Sequence, residues 1–301
     1  MVMEIFDYQI IANLLSGKGL AKIRLEELEN FLDEKGVTYR TLAIAKQTPI
    51  SLLPTDGEVE IKKGVICLGG DGTVSETIGY MIKRKILVPI FIVPTGTANF
   101  LAEAIGVRTN IRYDKLFHGQ IKKYDLGVYQ DKDREDYFLI GIGFGFEQRF
   151  LAMAKDKSKR FFGKIAYYWA ALSELLRLKP LAYQVVIDEK KLKFNSAMVT
   201  ILNLKPRISL LLPLFLEKDI LVNDGLLDFI YVEHQNYWYS FLGIFLFYVF
   251  GSLDFGLVKR MKAKEIKISC SELSKSQIDG ELKGELPFKI SILPAGVTFL
   301  V

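Results

Sequence analysis

Residues 64–76 read Gly-Val-Ile-Cys-Leu-Gly-Gly-Asp-Gly-Thr-Val-Ser-Glu, and this stretch decides how the rest of the chain is read. The run Gly64–Leu68 is apolar and short, as expected of a strand buried on both faces. Gly69, Gly70 and Gly72 then let the backbone turn tightly, because a residue without Cβ tolerates φ above zero and leaves room for a ligand. The pattern from Val74 onward predicts a helix, with Thr73 and Glu76 spaced as a capping box. Amide N–H groups at such a turn and helix start converge on one anion. Asp71 carries the wrong charge for an anion site unless a cation mediates, and phosphate together with Mg²⁺ meets both demands.

Two further strand ends repeat the theme. Residues 94–102 read Pro-Thr-Gly-Thr-Ala-Asn-Phe-Leu-Ala after the apolar run Leu87–Val93, offering Thr95, Gly96, Thr97 and Asn99. Residues 13–19 read Asn-Leu-Leu-Ser-Gly-Lys-Gly after Tyr8–Ala12, offering Asn13, Ser16, Gly17 and Lys18. Each loop leads into a helical pattern. In an open parallel sheet, ligands bind beyond the carboxyl ends of the strands, so three such loops point to a nucleotide site. The chain lacks G-x-x-x-x-G-K-[ST], and it lacks G-x-G-x-x-G after its first strand, which excludes a P-loop enzyme and an ordinary dinucleotide binder.

The order Asn-x-x-Ser-Gly, Gly-Gly-Asp-Gly-Thr, Pro-x-Gly-Thr-x-Asn resembles the diacylglycerol-kinase catalytic family, which includes bacterial lipid kinases and sphingosine kinases. The likeness continues through Tyr137-Phe138, Gly145-Phe146-Glu147, Gly163-Lys164 with Tyr167, Asp224-Gly225-Leu226-Leu227-Asp228 and Asp279-Gly280-Glu281. It implies transfer of the γ-phosphate of ATP, with Mg²⁺, to a lipid hydroxyl of diacylglycerol or a related lipid. It implies that Asp279 is the general base with Glu281 beside it, that Thr41 contacts ATP, that Asp71 holds Mg²⁺, and that Asp224 supports a second Mg²⁺. Arg24, on the first helix, is expected to reach the phosphates. Leu14, Phe100, Ile140 and the segment Lys205–Phe215 depart from the family pattern, the last two in the lipid-binding part. NAD kinase shares the Gly-Gly-Asp-Gly core and stands as the alternative activity, with a non-catalytic lipid-binding protein on a kinase scaffold as the other.

The first part alternates strands and helices, an α/β pattern. After Lys122 the chain turns strand-rich, which predicts an antiparallel sandwich. The expected fold is therefore α/β: a Rossmann-like, three-layer nucleotide-binding domain over 1–122, then a β-sandwich lipid-substrate domain over 123–301 whose last strand can return to the first domain. Asp279-Gly280 is also a strong hairpin signal.

The formal charge of +5 is unevenly spread. Lys155, Lys157, Lys159, Arg160, Lys164, Arg177 and Lys179 face only Asp156 and Glu174 between Leu151 and Pro180, among Phe161, Phe162, Tyr167, Tyr168 and Trp169. Basic residues interleaved with aromatics suit an anionic lipid surface or a nucleic acid; with the resemblance, the expected partner is a lipid substrate at the membrane surface and not nucleic acid. A homodimer is left open. Cys67 and Cys270 are the two cysteines, too far apart for a disulfide framework, and the start of the chain shows no signal-peptide pattern. Both readings point to a cytoplasmic protein, peripherally associated with the membrane. Tyr237–Leu253 carries no charge and sits at the short edge of a spanning helix. A span there would put the Asp279 motif on the other membrane face from the three loops, so a buried or interfacial helix is expected. His118 and His234 lack metal-ligand spacing.

Overall fold

A computed structural model describes residues 4–44, 50, 59–132, 134–155, 172–204, 223–250, 256–272 and 275–301. The chain forms two compact units, Met1–Tyr124 with Ala295–Val301, and Asp125–Pro294.

In the first unit, β1 (Glu4–Asn13), β2 (Tyr39–Ile44), β3 (Val59–Gly69) and β4 (Ile90–Pro94) form a parallel sheet in the order 4-3-1-2. Alternate residues of a strand face opposite ways. Tyr8, Ile10, Ala12, Ile66, Leu68, Phe91 and Val93 therefore meet Leu25, Leu28 and Leu32 of α1 (Leu20–Glu34) in one core. The opposite face meets α2 (Asp71–Lys83): the Gln9 amide donates to the Tyr80 hydroxyl at 3.2 Å, and the Cys67 sulfur lies 3.4 Å from Thr77 Oγ1. Helix, sheet and helix make the three layers. Burial pushes the Cys67 thiol up to about 12, so it is an inert core residue. Two short helices follow, α3 (Phe100–Ala104) and α4 (Lys115–His118).

The chain leaves this unit within β5 (Ile121–Asp131) and returns within the last strand, β15 (Phe288–Leu300), where Phe299 pairs in parallel with Ile90 of β4. In the second unit, β6 (Arg134–Phe138) is separated from β7 (Gly141–Gly145) by a break at Leu139-Ile140, within the continuous apolar run Tyr137–Ile142. Then come α5 (Phe146–Lys155), β8 (Leu181–Ile187), β9 (Lys190–Leu202), β10 (Leu227–Glu233), α6 (Tyr237–Phe250), β11 (Lys259–Ala263), β12 (Glu265–Cys270), β13 (Lys275–Ile278) and β14 (Glu281–Glu285). Among the described residues, these strands pair antiparallel, and β15 pairs in parallel with β4. Strand β9 is the hinge of the sandwich. Its first half pairs with β8, and its second half lies between β7 and β10. Phe144, Tyr183, Phe194, Phe229, Phe288 and the aliphatics around them fill the interior.

Helix α6 packs on β10 and β9 through Ser240, Ile244 and Phe247, at a spacing of about one helical turn each. Gly243 makes the approach close, since a Cβ there would stand 2.9 Å from Val232 Cγ1. Among the described residues, no helix is long and apolar enough to cross a membrane.

Candidate active site

The three loops singled out in the first unit are in mutual contact at backbone level. Strand β1 ends at Asn13, whose Nδ2 donates to Thr73 Oγ1 at 3.2 Å and whose Oδ1 accepts the Leu15 N–H at 3.1 Å. Asn13 and Thr73 thus brace the first loop to the second. The chain then turns left-handed at Gly17 (φ 67), Lys18 (φ 53) and Gly19 (φ 99). A Cβ on Gly17 would stand 2.2 Å from the Thr95 carbonyl oxygen, and one on Gly96 would stand 2.5 Å from Gly70 Cα. The glycines are what allow the loops to nest. The Thr95 N–H donates to the Gly69 carbonyl at 2.9 Å, and Asn99 Nδ2 donates to the Gly96 carbonyl at 2.8 Å. Asp71 Oδ1 accepts the Leu101 N–H at 2.8 Å, fixing α3 against the first turn of α2.

Two atoms of this cradle point to a ligand. Thr95 Oγ1 and Asn99 Oδ1 are buried without a hydrogen-bond partner. An unpaired buried polar group costs about 1–3 kcal/mol, recovered when a ligand supplies the partner. The threonine hydroxyl can donate to a phosphate oxygen. The asparagine oxygen only accepts, so it matches a ribose hydroxyl or a base amino group. Gly70 leads into α2, whose positive dipole end adds to the attraction for phosphate. Gly72 lies in that first turn, Ser16 is half-buried, and Lys18 and Thr97 are open to solvent.

The remaining nucleotide candidates have protein partners. Helix α2 begins at Asp71, with Gly70 extended before it, so Thr73 and Glu76 form no capping box. The Glu76 carboxylate accepts the Ile50 N–H at 2.9 Å instead. Thr41 donates to Glu29 at 2.7 Å and pairs in register with Ile10, about 10 Å along the strand from the end of β1. Arg24 is paired with Glu27 at 2.8 Å.

In the second unit, Asp279 (φ 48) and Gly280 (φ 78) make the two-residue turn joining β13 to β14, with Ile278 opposite Glu281. Two successive positive φ values are those of a type I′ hairpin. Asp279 is 4% exposed. Its Oδ2 accepts the Leu139 N–H at 2.7 Å, and its Oδ1 accepts Ile140 and Gly141 N–H at 2.8 and 3.0 Å. Burial pushes its carboxyl up to about 6, against the opposing pull of those amides and of the Lys283 charge. Three of about four lone-pair positions are taken, and the spare one is on Oδ2. Glu281, half-buried, opens β14.

A polar frame holds this turn. Asn203 Nδ2 donates to the carbonyls of Leu139 and Asp125 at 2.7 and 2.8 Å. The Gly280 N–H donates to Gln277 Oε1 at 3.0 Å, Gln277 Nε2 donates to Glu147 Oε2 at 2.9 Å, and Thr200 Oγ1 donates to Glu147 Oε1 at 2.6 Å. Gln277, Asn203 and Thr200 were not singled out from sequence. The available signal was a polar residue at an inward position of an apolar strand.

Asp224 is engaged by protein groups: its carboxylate pairs with Lys262 and accepts the Leu226 N–H at 3.1 Å. Among the described residues, no group of three His, Cys, Asp or Glu gathers to hold a metal ion. Mg²⁺ is commonly held by one or two carboxylates plus substrate phosphates, and Asp71, in the first turn of α2, is a carboxylate that could serve in that way. His234 Nδ1 lies 2.8 Å from Ser240 Oγ, a structural contact. The basic-aromatic stretch 156–169 and residues 208–215 lie outside the described residues.

Residues 7–129 match the family described as diacylglycerol kinase catalytic domain, and residues 141–301 match the YegS C-terminal NAD kinase beta sandwich-like domain. A Staphylococcus aureus (strain MSSA476) protein named "Putative lipid kinase" is 26% identical over 283 residues, covering 88% of this chain and 90% of that protein. One of the same designation from Staphylococcus haemolyticus is 27% identical over 243 residues, covering 78% and 75%. A crystal structure of a "putative diacylglycerol kinase" from Bacillus anthracis shares the fold with a TM-score of 0.73 at 21% identity, covering 98% of this chain and 97% of that one. The two matched regions follow one another with the nested glycine loops in the first and the Asp279 hairpin in the second, and the chain belongs to the family that joins a diacylglycerol kinase catalytic domain to a YegS-type C-terminal β-sandwich.

Proposed function

We propose that this protein is a lipid kinase that moves the γ-phosphate of ATP to a lipid hydroxyl, with diacylglycerol as the leading substrate. Membership of a kinase family implies ATP as the donor. The observation that carries the reading is the glycine cradle with two buried polar atoms awaiting partners, Thr95 Oγ1 and Asn99 Oδ1. In this reading the loop amides and the N-terminus of α2 bind the phosphates. Asp71 holds Mg²⁺, which when bound neutralises phosphate charge. Asp279 accepts the proton of the lipid hydroxyl as its oxygen bonds to the γ-phosphorus and the bond to the bridging oxygen breaks. A carboxyl near 6 is well matched to that task at neutral pH. The names of the relatives support a lipid acceptor.

The second matched domain is described as NAD kinase-like, so NAD is the competing acceptor. The purified protein is incubated with γ-labelled ATP, Mg²⁺ and a lipid panel beside NAD. Label in the lipid phase, strongest with diacylglycerol, is the expected outcome. Label in NADP alone replaces the acceptor, and no transfer at all removes the kinase reading.

A further inference from the structure

Helix α6 carries no charged residue, and among its described side chains the buried ones, Ser240, Ile244 and Phe247, lie on one face. Trp238, by contrast, is 72% exposed, Leu242 45% and Phe245 39%. Positions 238, 242 and 245 are one turn apart and form an outward stripe. The stripe has company. The Tyr237 hydroxyl reaches the Leu175 carbonyl at 3.3 Å, and Leu175 shares a core with Ile244 and Phe247. Its neighbours Leu172 and Leu176 are exposed by 45% and 57%, and Arg177 and Lys179 just beyond are exposed too. Five large apolar side chains thus stand exposed on two segments that share a core, with two exposed cations on one of them.

We infer that this face of the second unit is a membrane-docking surface that seats on an anionic lipid bilayer. Single exposed hydrophobics are ordinary, but a contiguous set marks an interaction site. The chemistry selects a lipid surface. A tryptophan flanked by Tyr237 and Tyr239 suits the headgroup boundary, where an apolar ring and a polar tip are both satisfied. Arg177 and Lys179 complement anionic headgroups. At 14 residues α6 is about 21 Å long, so it lies in the interface and does not cross. The inference rests on the lipid-kinase reading for its purpose, since a lipid substrate has to be met at its surface.

The chain has two tryptophans, so Trp169→Phe leaves Trp238 as the sole reporter. The full-length W169F protein is mixed with phosphatidylcholine–phosphatidylglycerol vesicles, with and without brominated acyl chains. Docking predicts a blue shift and bromine quenching of Trp238. Joint substitution of Trp238, Leu242 and Phe245 by Ser should lower vesicle partitioning by about tenfold or more, given shallow insertion of three apolar side chains. Arg177→Glu with Lys179→Glu should weaken binding most at low salt. ATP binding should remain unchanged in both variants, which shows that they are folded. Absence of bromine quenching overturns the inference. So does a sedimentation result in which the free protein is a dimer with Trp238 shielded from acrylamide, for then a second copy covers the stripe. If vesicle docking holds but no lipid is phosphorylated, the kinase reading falls and the docking surface stands.

Discussion

Asp279 combines two demands that oppose each other. Three backbone amides favour its ionised form, and burial disfavours it; burial prevails and the carboxyl rises to about 6. As the proposed base it must be ionised to work, so lipid phosphorylation should fall on the acid side with an apparent pKa near 6, seen in a kcat profile against pH. Asp279→Asn should lower kcat by about 10²–10⁴-fold and leave ATP binding close to normal, read by calorimetry. Near-normal turnover would reassign Asp279 to the structural frame alone. The same shift has a stability consequence. Between pH 3.8 and about 6 the folded chain holds a proton at Asp279 that the unfolded chain has lost. Its contribution is therefore full below pH 3.8 and is lost as the pH rises to about 6, at most about 3 kcal/mol. Urea midpoints for wild type and Asp279→Asn across that window test it, since the variant should lack this slope. In the first unit the critical residue is Gly96. A methyl there would stand 2.5 Å from Gly70 Cα and 2.8 Å from Asn99 Oδ1, so Gly96→Ala should abolish ATP-analogue binding in titration calorimetry while the fold persists.

At the scale of elements, the hairpin β13–β14 aims Asp279, and its turn needs φ of 78 at residue 280. Gly280→Ala should destabilise the chain by about 1–2 kcal/mol in urea unfolding, the usual cost of a left-handed position for a residue with Cβ. It should also lower kcat while leaving the affinity for ATP alone. This hairpin turn was legible because Asp-Gly after a strand is local turn chemistry. Strand β8 is legible end to end, because the alternation and length of Leu181–Ile187 in the sequence agree with it. The break between β6 and β7 was not. Tyr137–Ile142 reads as one apolar run, and what splits it is the Asp279 carboxylate, 140 residues further on. The charged strand Lys259–Ala263 escaped because its pairing with β10, not its composition, makes it a strand. The start of α2 was misjudged by two residues. Gly70 enters extended and the helix begins at Asp71, which turns Glu76 toward Ile50. The nested loops were legible as a group because each glycine motif follows an apolar strand. The unpaired atoms Thr95 Oγ1 and Asn99 Oδ1 were not, since satisfaction of a polar atom depends on everything packed around it.

At the scale of the whole molecule, the first unit is closed by residues from the far end of the sequence. Strand β4 receives Phe299 as its parallel partner, and Gln120 and Val301 exchange backbone hydrogen bonds. This has a consequence for manufacture in the cell. A ribosome makes β4 about 200 residues before it makes Phe299, which at ~5–20 residues per second is a wait of roughly 10–40 s. For that interval the growing chain carries a sheet with an open, apolar flank, the kind of edge that invites mispairing. Nascent chains arrested before Ala295 should accordingly be cut by protease within the nucleotide half, whereas chains released through Val301 should resist. A nucleotide half that is already protected in the arrested chains would show that this edge closes without its last strand. Birth order and spatial order run opposite ways here, and the segment that shuts this sheet is made about 200 residues after the strand it covers.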